Sequence, residues 1–355
     1  MEVLIHIGCA RVGSSYLQAK CARTRSELSA NSCYFPVASR RNEAAMQAGR
    51  ISSGNAADLA MAIIQRNVRY QEKRLEFVIR QARAANCSRV LLSSEWLLAA
   101  LAAPNRLHDL SDRFLRAGAV SVNLLLMLRD PVDQLISLYK HRAKQGTLGD
   151  LSEWARINYV LPKRLEAIRH QISGSNMQLT VRGYQKSAGW LEKVFFRDWL
   201  GLDVPLPAMA DVVNPSLTLS ELRFLRALNA QEPSLVTELY TRMAKIESKN
   251  KQEHHELAGY ARAVAESIVS EHREEWERWN MLLPQNEVLA IPKSRPLPER
   301  EPEVIKLSAY QLQAVSDVLA DISRARFLIR LMWRSRLRPV LARIKAVLLP
   351  GLSRR

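Results

Sequence analysis

Cysteine is scarce in this chain: there are four in 355 residues, Cys9, Cys21, Cys33 and Cys87. None forms a C-x-x-C pair and no histidine cluster accompanies them, so the ligand spacing of a zinc site is missing. A chain of this length does not call for a disulfide framework, so a reducing compartment fits best. Long apolar runs are missing too. No stretch of 18 apolar residues occurs, and no transmembrane helix is expected. The first residues lack a basic segment followed by an apolar one, so no signal peptide is expected. Glycine (13) and proline (15) are modest in number, which sets aside collagen-like and low-complexity chains. Acidic residues are under-represented, 35 against 52 Lys and Arg.

What is present is an ordinary globular composition, 47% apolar and 25% charged, long enough for one large domain or two ordinary ones. The net charge of +17 suits an anionic partner without choosing among nucleotide, nucleic acid, acidic glycan and membrane. The charge is uneven. From Arg324 onward there are nine Arg, one Lys and no acid, a surplus of ten that leaves about +7 on the rest. The body of the chain is therefore only mildly basic, and no specific nucleic-acid role is expected of it.

Apolar runs at Val3–Ile7, Arg89–Leu92, Val122–Leu128 and Met177–Val181 read as buried strands. Helical spacing follows at 14–29, 57–85 and from Pro131 to about Lys144, Pro131 being well placed in a first turn. Strands alternating with helices predict an α/β fold, a parallel β-sheet flanked by helices. From about residue 215 the pattern is helical. Pro292, Pro296, Pro298 and Pro302 mark a linker, and a last helix is expected at 306–321. The expected organisation is an α/β domain over 1–290, a Pro-rich linker at 291–303, and C-terminal helices with a basic tail over 304–355.

The segment Gly8-Cys-Ala-Arg-Val-Gly13 has the G-x-x-x-x-G spacing of a phosphate-binding loop, between an expected strand and an expected helix. Glycines let the backbone turn tightly, and the loop amides with the helix N-terminus face a phosphate. Position 14 is Ser, where a nucleoside triphosphatase carries the lysine for the β- and γ-phosphates. The cation is Arg11, inside the loop. A smaller phosphate group suits this loop better, with Arg11, Ser14 and Ser15 as donors. A plain strand–turn–helix corner with no ligand is the alternative.

Arg129 ends the third expected strand, and Ser137 follows a little over two helical turns on. In an open α/β sheet, ligands bind beyond the carboxyl ends of the strands. Arg129 can therefore take a second phosphate as a fork, or pair with Asp130 or Asp133 as a helix-start ion pair. Glu95, after Leu91-Leu-Ser-Ser, reaches the same edge. It reads either as a base or as a helix-start carboxylate favoured by the dipole. Arg182 ends the fourth strand, placed to reach a ligand or to be a solvated strand end. His6 is expected to be a core histidine; His141, one turn past Ser137 on the same side of the helix, is only a weak candidate for lining an acceptor cleft.

Together these segments resemble the sulfotransferase family. His6–Gln18 is similar to that family's 5′-phosphosulfate loop, a strand followed by Lys-Thr-Gly-Thr-Thr and Leu-Gln. Leu126–Tyr139 is similar to its 3′-phosphate segment, and Asn214-Pro-Ser-Leu217 also resembles bacterial members. The resemblance covers roughly residues 3–230. It implies a P-loop-like sulfotransferase fold, and 3′-phosphoadenosine 5′-phosphosulfate as donor with no metal. It places Arg11, Val12, Gly13, Ser14, Ser15 and Tyr16 at the 5′ end, Arg129 and Ser137 at the 3′-phosphate, Arg182 near the nucleotide, and Glu95 and Arg11 in catalysis. The acceptor it suggests is a hydroxyl or amine, on a carbohydrate or lipid-linked glycan. Arg11 stands where the family usually has lysine, Ser14 and Ser15 replace threonines, and Ala10 replaces a common proline.

Two other functions stand beside this one. A P-loop kinase is opposed by the missing lysine after Gly13 and by the absence of a clear acidic Mg²⁺ ligand at a strand end. A catalytically degenerate nucleotide-binding or membrane-associated protein is kept open by Arg11. In the tail, Phe327, Leu328, Leu331, Leu337, Leu341, Ile344 and Leu348 recur at roughly helical spacing among arginines, with Pro339 as a kink. Such a helix lies on an anionic membrane or packs on the domain with a solvated charged face. The expected location is cytoplasmic, with peripheral membrane contact through 324–355 as the open addition.

Overall fold

The computed structural model describes residues 1–9, 11–142, 149–173, 175, 177–202, 217–229, 233–321 and 323–324. Most of the Asn214–Leu217 segment, residues 143–148 and the basic tail from 325 lie outside the described residues.

Five parallel strands form one sheet in the order β2-β3-β1-β4-β5: β1 Glu2–Ile7, β2 Cys33–Tyr34, β3 Arg89–Ser94, β4 Ser121–Leu128 and β5 Gln178–Gly183. The four expected strands are there, each within a residue or two at its ends. The short edge strand β2 was not expected. The central strands are buried along almost their whole length, as a sheet covered on both faces requires.

Helices α1 (Ser14–Arg23), α2 (Arg25–Ala30), α3 (Arg40–Gln47), α4 (Ala57–Ile64) and α5 (Val68–Ala84) connect β1, β2 and β3. After β3 come α6 (Trp96–Leu101) and α7 (Arg106–Arg116), and after β4 come α8 (Pro131–Arg142), α9 (Leu151–Asn158) and α10 (Leu161–Ile172). Past β5 a single helical turn, α11 (Trp190–Glu192), continues as a π-helix over Lys193–Trp199. The expected helix 57–85 is two helices. Arg66 takes a left-handed φ of 57° between them, and the Asn67 side chain caps α5 by accepting from Tyr70 N.

The chain divides into two compact units, one of Met1–Ala143, Leu148–Pro215 and His255–Pro302, the other of Lys144–Thr147, Ser216–His254 and Glu303–Arg355. The first unit holds the sheet. Its later helices, α14 (His255–Ser270) and α15 (Arg273–Asn280), pack back on α8, α9 and α10. In the second unit, α12 (Leu219–Asn229) packs on α13 (Pro233–Lys245). There Glu221 and Thr218 cap α12 reciprocally, and the buried Lys251 faces Glu221 at 3.4 Å. Residues 288–308 have no regular structure, and a helix occupies 309–321.

The strand order sets where a ligand can bind. From β1 the chain leaves toward β2 on one side, and from β4 toward β5 on the other. The connections diverge between neighbouring strands, which opens a crevice beyond their carboxyl ends.

Candidate functional site

The glycine loop fills one wall of that crevice. Gly8 N bonds Ser94 O at 3.2 Å and ties the end of β1 to the end of β3. Arg11 and Gly13 both take left-handed backbone, with φ of 73° and 87°. Gly13 has two reasons to be glycine: its φ, and a Cβ that would stand 2.5 Å from Leu191 Cδ1. It opens α1 with no side-chain cap, and no acid lies in the first turn. The first amides of α1 are thus open to an anion. Val12, Ser14 and Ser15 are buried; Val12 offers the loop its backbone only.

Arg129 and Ser137 come to this loop from β4 and α8. Arg11 Nε donates to Ser137 Oγ at 2.8 Å across 126 residues of sequence. Arg129 Nη1 donates to the Arg11 carbonyl at 3.2 Å. The Arg129 guanidinium lies over the Tyr184 ring, 5.9 Å from its centroid. Asp130 caps α8 by accepting from Asp133 N at 2.9 Å, while Asp133 faces Arg129 at 3.4 Å. The helix-start ion pair therefore exists, and it leaves part of the arginine unused. Arg129 Nε is buried with no hydrogen-bond partner, a donor left unsatisfied by the protein.

Glu95 closes the third side. A Cβ on Gly8 would stand 2.9 Å from Glu95 Cα and 3.0 Å from Ser14 Oγ, so the carboxylate residue packs directly on the loop. Burial pushes the Glu95 carboxyl above its usual range; the Arg11 guanidinium and the Ser14 hydroxyl pull against that shift without cancelling it. The Ser14 hydroxyl nevertheless closes no well-aligned hydrogen bond.

Beneath Glu95 runs a buried polar network. His6 Nδ1 pairs with Ser93 Oγ at 2.9 Å, Gln18 Nε2 donates to the same oxygen at 3.2 Å, and Ser52 Oγ donates to Gln18 Oε1 at 2.7 Å. Asn55 accepts from Ser93 N at 2.8 Å and donates to Leu91 O at 3.0 Å, which fixes the end of β3. Burial pulls His6 down to about 4, so its ring is neutral, the core histidine expected of it. His141 is half-buried on α8, one turn past Ser137.

Tyr16 and Arg182 are placed differently from the rest. The Tyr16 hydroxyl and the buried Lys20 ammonium both donate to Glu192. Burial alone would raise Glu192, and those two donors hold it below the ordinary carboxylate range. Tyr16 thus borders the loop, in a cleft of about 190 Å³ that Tyr184, Leu191 and Glu192 also line. Arg182 is not brought to the crevice. Its guanidinium is taken by Glu287, with Nε at 2.9 Å from Oε2, and by Asp198 at 3.3 Å. Glu287 also accepts from Gly183 N at 2.9 Å. From β5 it is Tyr184, two residues on, that reaches the site, its backbone N bonded to Leu128 O at 2.5 Å. Sequence reasoning missed Tyr184, Glu192, Lys20 and the Gln18–Asn55 network. Only Gln18, inside the loop-like segment, carried a signal.

All four cysteines are buried, and none is in a disulfide. Among the described residues no three His, Cys, Asp or Glu side chains gather as metal ligands, and no helix is long and apolar enough to cross a membrane. No protein-family model, curated protein or solved structure matches the chain. What the structure shows is an α/β protein in which the Gly8–Gly13 loop after β1 and the Arg129–Ser137 segment after β4 meet, through Arg11, Ser137 and Arg129, beyond the carboxyl ends of an all-parallel sheet.

Proposed function

We propose that the chain is a sulfotransferase on a P-loop-like fold, moving a sulfuryl group from 3′-phosphoadenosine 5′-phosphosulfate to a hydroxyl or amine, with a carbohydrate as the acceptor class. The observation that carries this is the meeting of the two motifs: Arg11 on Ser137 at 2.8 Å, and Arg129 on the Arg11 carbonyl at 3.2 Å with its Nε unused. Two cationic sites at one sheet edge suit a nucleotide with phosphate at both ends better than a triphosphate.

The roles follow from the chemistry. The backbone of Arg11, Val12 and Gly13, the first amides of α1 and the hydroxyls of Ser14 and Ser15 hold the 5′-phosphosulfate. Arg129 and Ser137 hold the 3′-phosphate. In transfer, the acceptor oxygen or nitrogen forms a bond to sulfur as the bond from sulfur to the phosphate oxygen breaks. Arg11 faces the charge that develops on the leaving oxygen. Glu95 takes the acceptor proton. The basic tail adds, in this proposal, a peripheral contact with an anionic membrane.

A thermal-shift panel tests the nucleotide part. 3′-Phosphoadenosine 5′-phosphate should raise the melting temperature, and adenosine 5′-phosphate and ATP with Mg²⁺ should raise it less at equal concentration. Stabilisation by ATP with Mg²⁺ alone would replace this function with that of a P-loop kinase.

A further inference from the structure

Asp133 Oδ2 accepts from two cations at once, Arg129 Nη2 at 3.4 Å and Lys186 Nζ at 2.6 Å. Burial alone would raise the Asp133 carboxyl, and Lys186 with Arg129 brings it below its ordinary range. Two full positive charges thus share one carboxylate at this corner of the crevice. Arg129 Nε, buried and without an acceptor, belongs to the same corner. A phosphate monoester is close to dianionic at neutral pH, with a second pKa of about 6. It is better matched by two cations than by Arg129 alone.

Lys186 is well placed to be the second. Tyr184, two residues before it, is fixed by its backbone bond to Leu128 O and by its ring under Arg129. The root of Lys186 is therefore anchored to the ends of β4 and β5, while its side chain is 69% exposed. An exposed ion pair contributes little to stability, so the ammonium can change partner at small cost. A lysine also acts as a point charge without the directional demand of an arginine fork.

We propose that Lys186 is the second cation of the 3′-phosphate subsite, leaving Asp133 for the phosphate beside Arg129, and that Asp133 is the internal anion that keeps both cations in position beforehand. This rests on the nucleotide assignment proposed above.

The test is calorimetric titration of the full chain with 3′-phosphoadenosine 5′-phosphate and with adenosine 5′-phosphate. Lys186→Ala should weaken the first about tenfold, the loss of one charge-assisted hydrogen bond, and leave the second unchanged. Lys186→Arg should keep most of the affinity. An unchanged ratio in Lys186→Ala, or an equal loss for both nucleotides, would leave Lys186 as surface charge and overturn the proposal. A wild-type protein with no preference for the 3′-phosphorylated nucleotide would overturn the underlying assignment as well. The two failures are thus read from different proteins.

Discussion

Replacing Glu95 by Gln is expected to lower turnover about 10²- to 10⁴-fold, the usual worth of a positioned general base, with nucleotide affinity unchanged. The side chain keeps its shape and its packing against Gly8 and loses only the ability to accept the acceptor's proton. The pH dependence gives a second readout. Burial raises the Glu95 pKa, so the carboxylate forms only above a midpoint higher than the ordinary glutamate value of about 4.3. The wild-type rate should rise with pH through that raised midpoint, and the residual rate of Glu95→Gln should lack this limb. Stability runs the other way. A carboxyl with a raised folded-state pKa contributes stability below its unfolded pKa, and that contribution is lost as pH rises through the folded one. Above the midpoint the wild type carries a buried carboxylate that the variant lacks. The melting temperature of Glu95→Gln should therefore overtake that of wild type as pH rises. A variant with full turnover removes Glu95 from the chemistry, whatever its stability.

Arg129→Ala is expected to weaken 3′-phosphoadenosine 5′-phosphate about 100-fold and adenosine 5′-phosphate far less, erasing the preference between them. The guanidinium has three contacts to lose, the Arg11 carbonyl, Asp133 and the Tyr184 ring. Asp133 keeps Lys186 as its counter-ion, so the fold should survive and the loss should appear in binding. Arg129→Lys keeps the charge without the fork and should fall between. A variant that still prefers the 3′-phosphorylated nucleotide by the wild-type factor would remove Arg129 from the subsite. The two variants separate the site into halves: one should lose chemistry with binding intact, the other should lose binding of one phosphate.

Much of the sheet was legible because buried parallel strands leave a plain mark. Val3–Ile7 and Val122–Leu128 are largely apolar runs, broken only by His6 and Asn123, that stop at Gly8 and at Arg129, and both stops are strand ends. β2 left no mark, since Cys33 and Tyr34 pair with β3 over two residues only, too short for any periodicity. The division between α4 and α5 turns on Arg66 in a left-handed conformation, where neither glycine nor proline announces a break. The only local clue was Asn67 as a cap.

The candidate site was legible in its parts and not in its joints. Spacing brought forward Gly8, Gly13, Arg129 and Ser137, and the strand order puts them at one crevice. That Arg11 reaches Ser137 is a contact across 126 residues, and no local pattern encodes it. Arg182 shows the reverse case. Its position at a strand end pointed to the ligand, while Glu287, more than a hundred residues away, holds its guanidinium. Alternation along the strand does not separate Arg182 from Tyr184. The two share one parity, yet Tyr184 lies past the end of β5, where the pleat no longer fixes direction.

That one crevice holds phosphate at both ends of a single nucleotide is best tested by phosphorus NMR of 3′-phosphoadenosine 5′-phosphate titrated with the full chain. The 5′ and 3′ resonances should shift together and saturate at one nucleotide per chain, and in Arg129→Ala the 3′ resonance should return toward its free position while the 5′ resonance still moves. A 3′ resonance that stays at its free position in the wild-type complex would contradict a two-phosphate site, and with it the function proposed here.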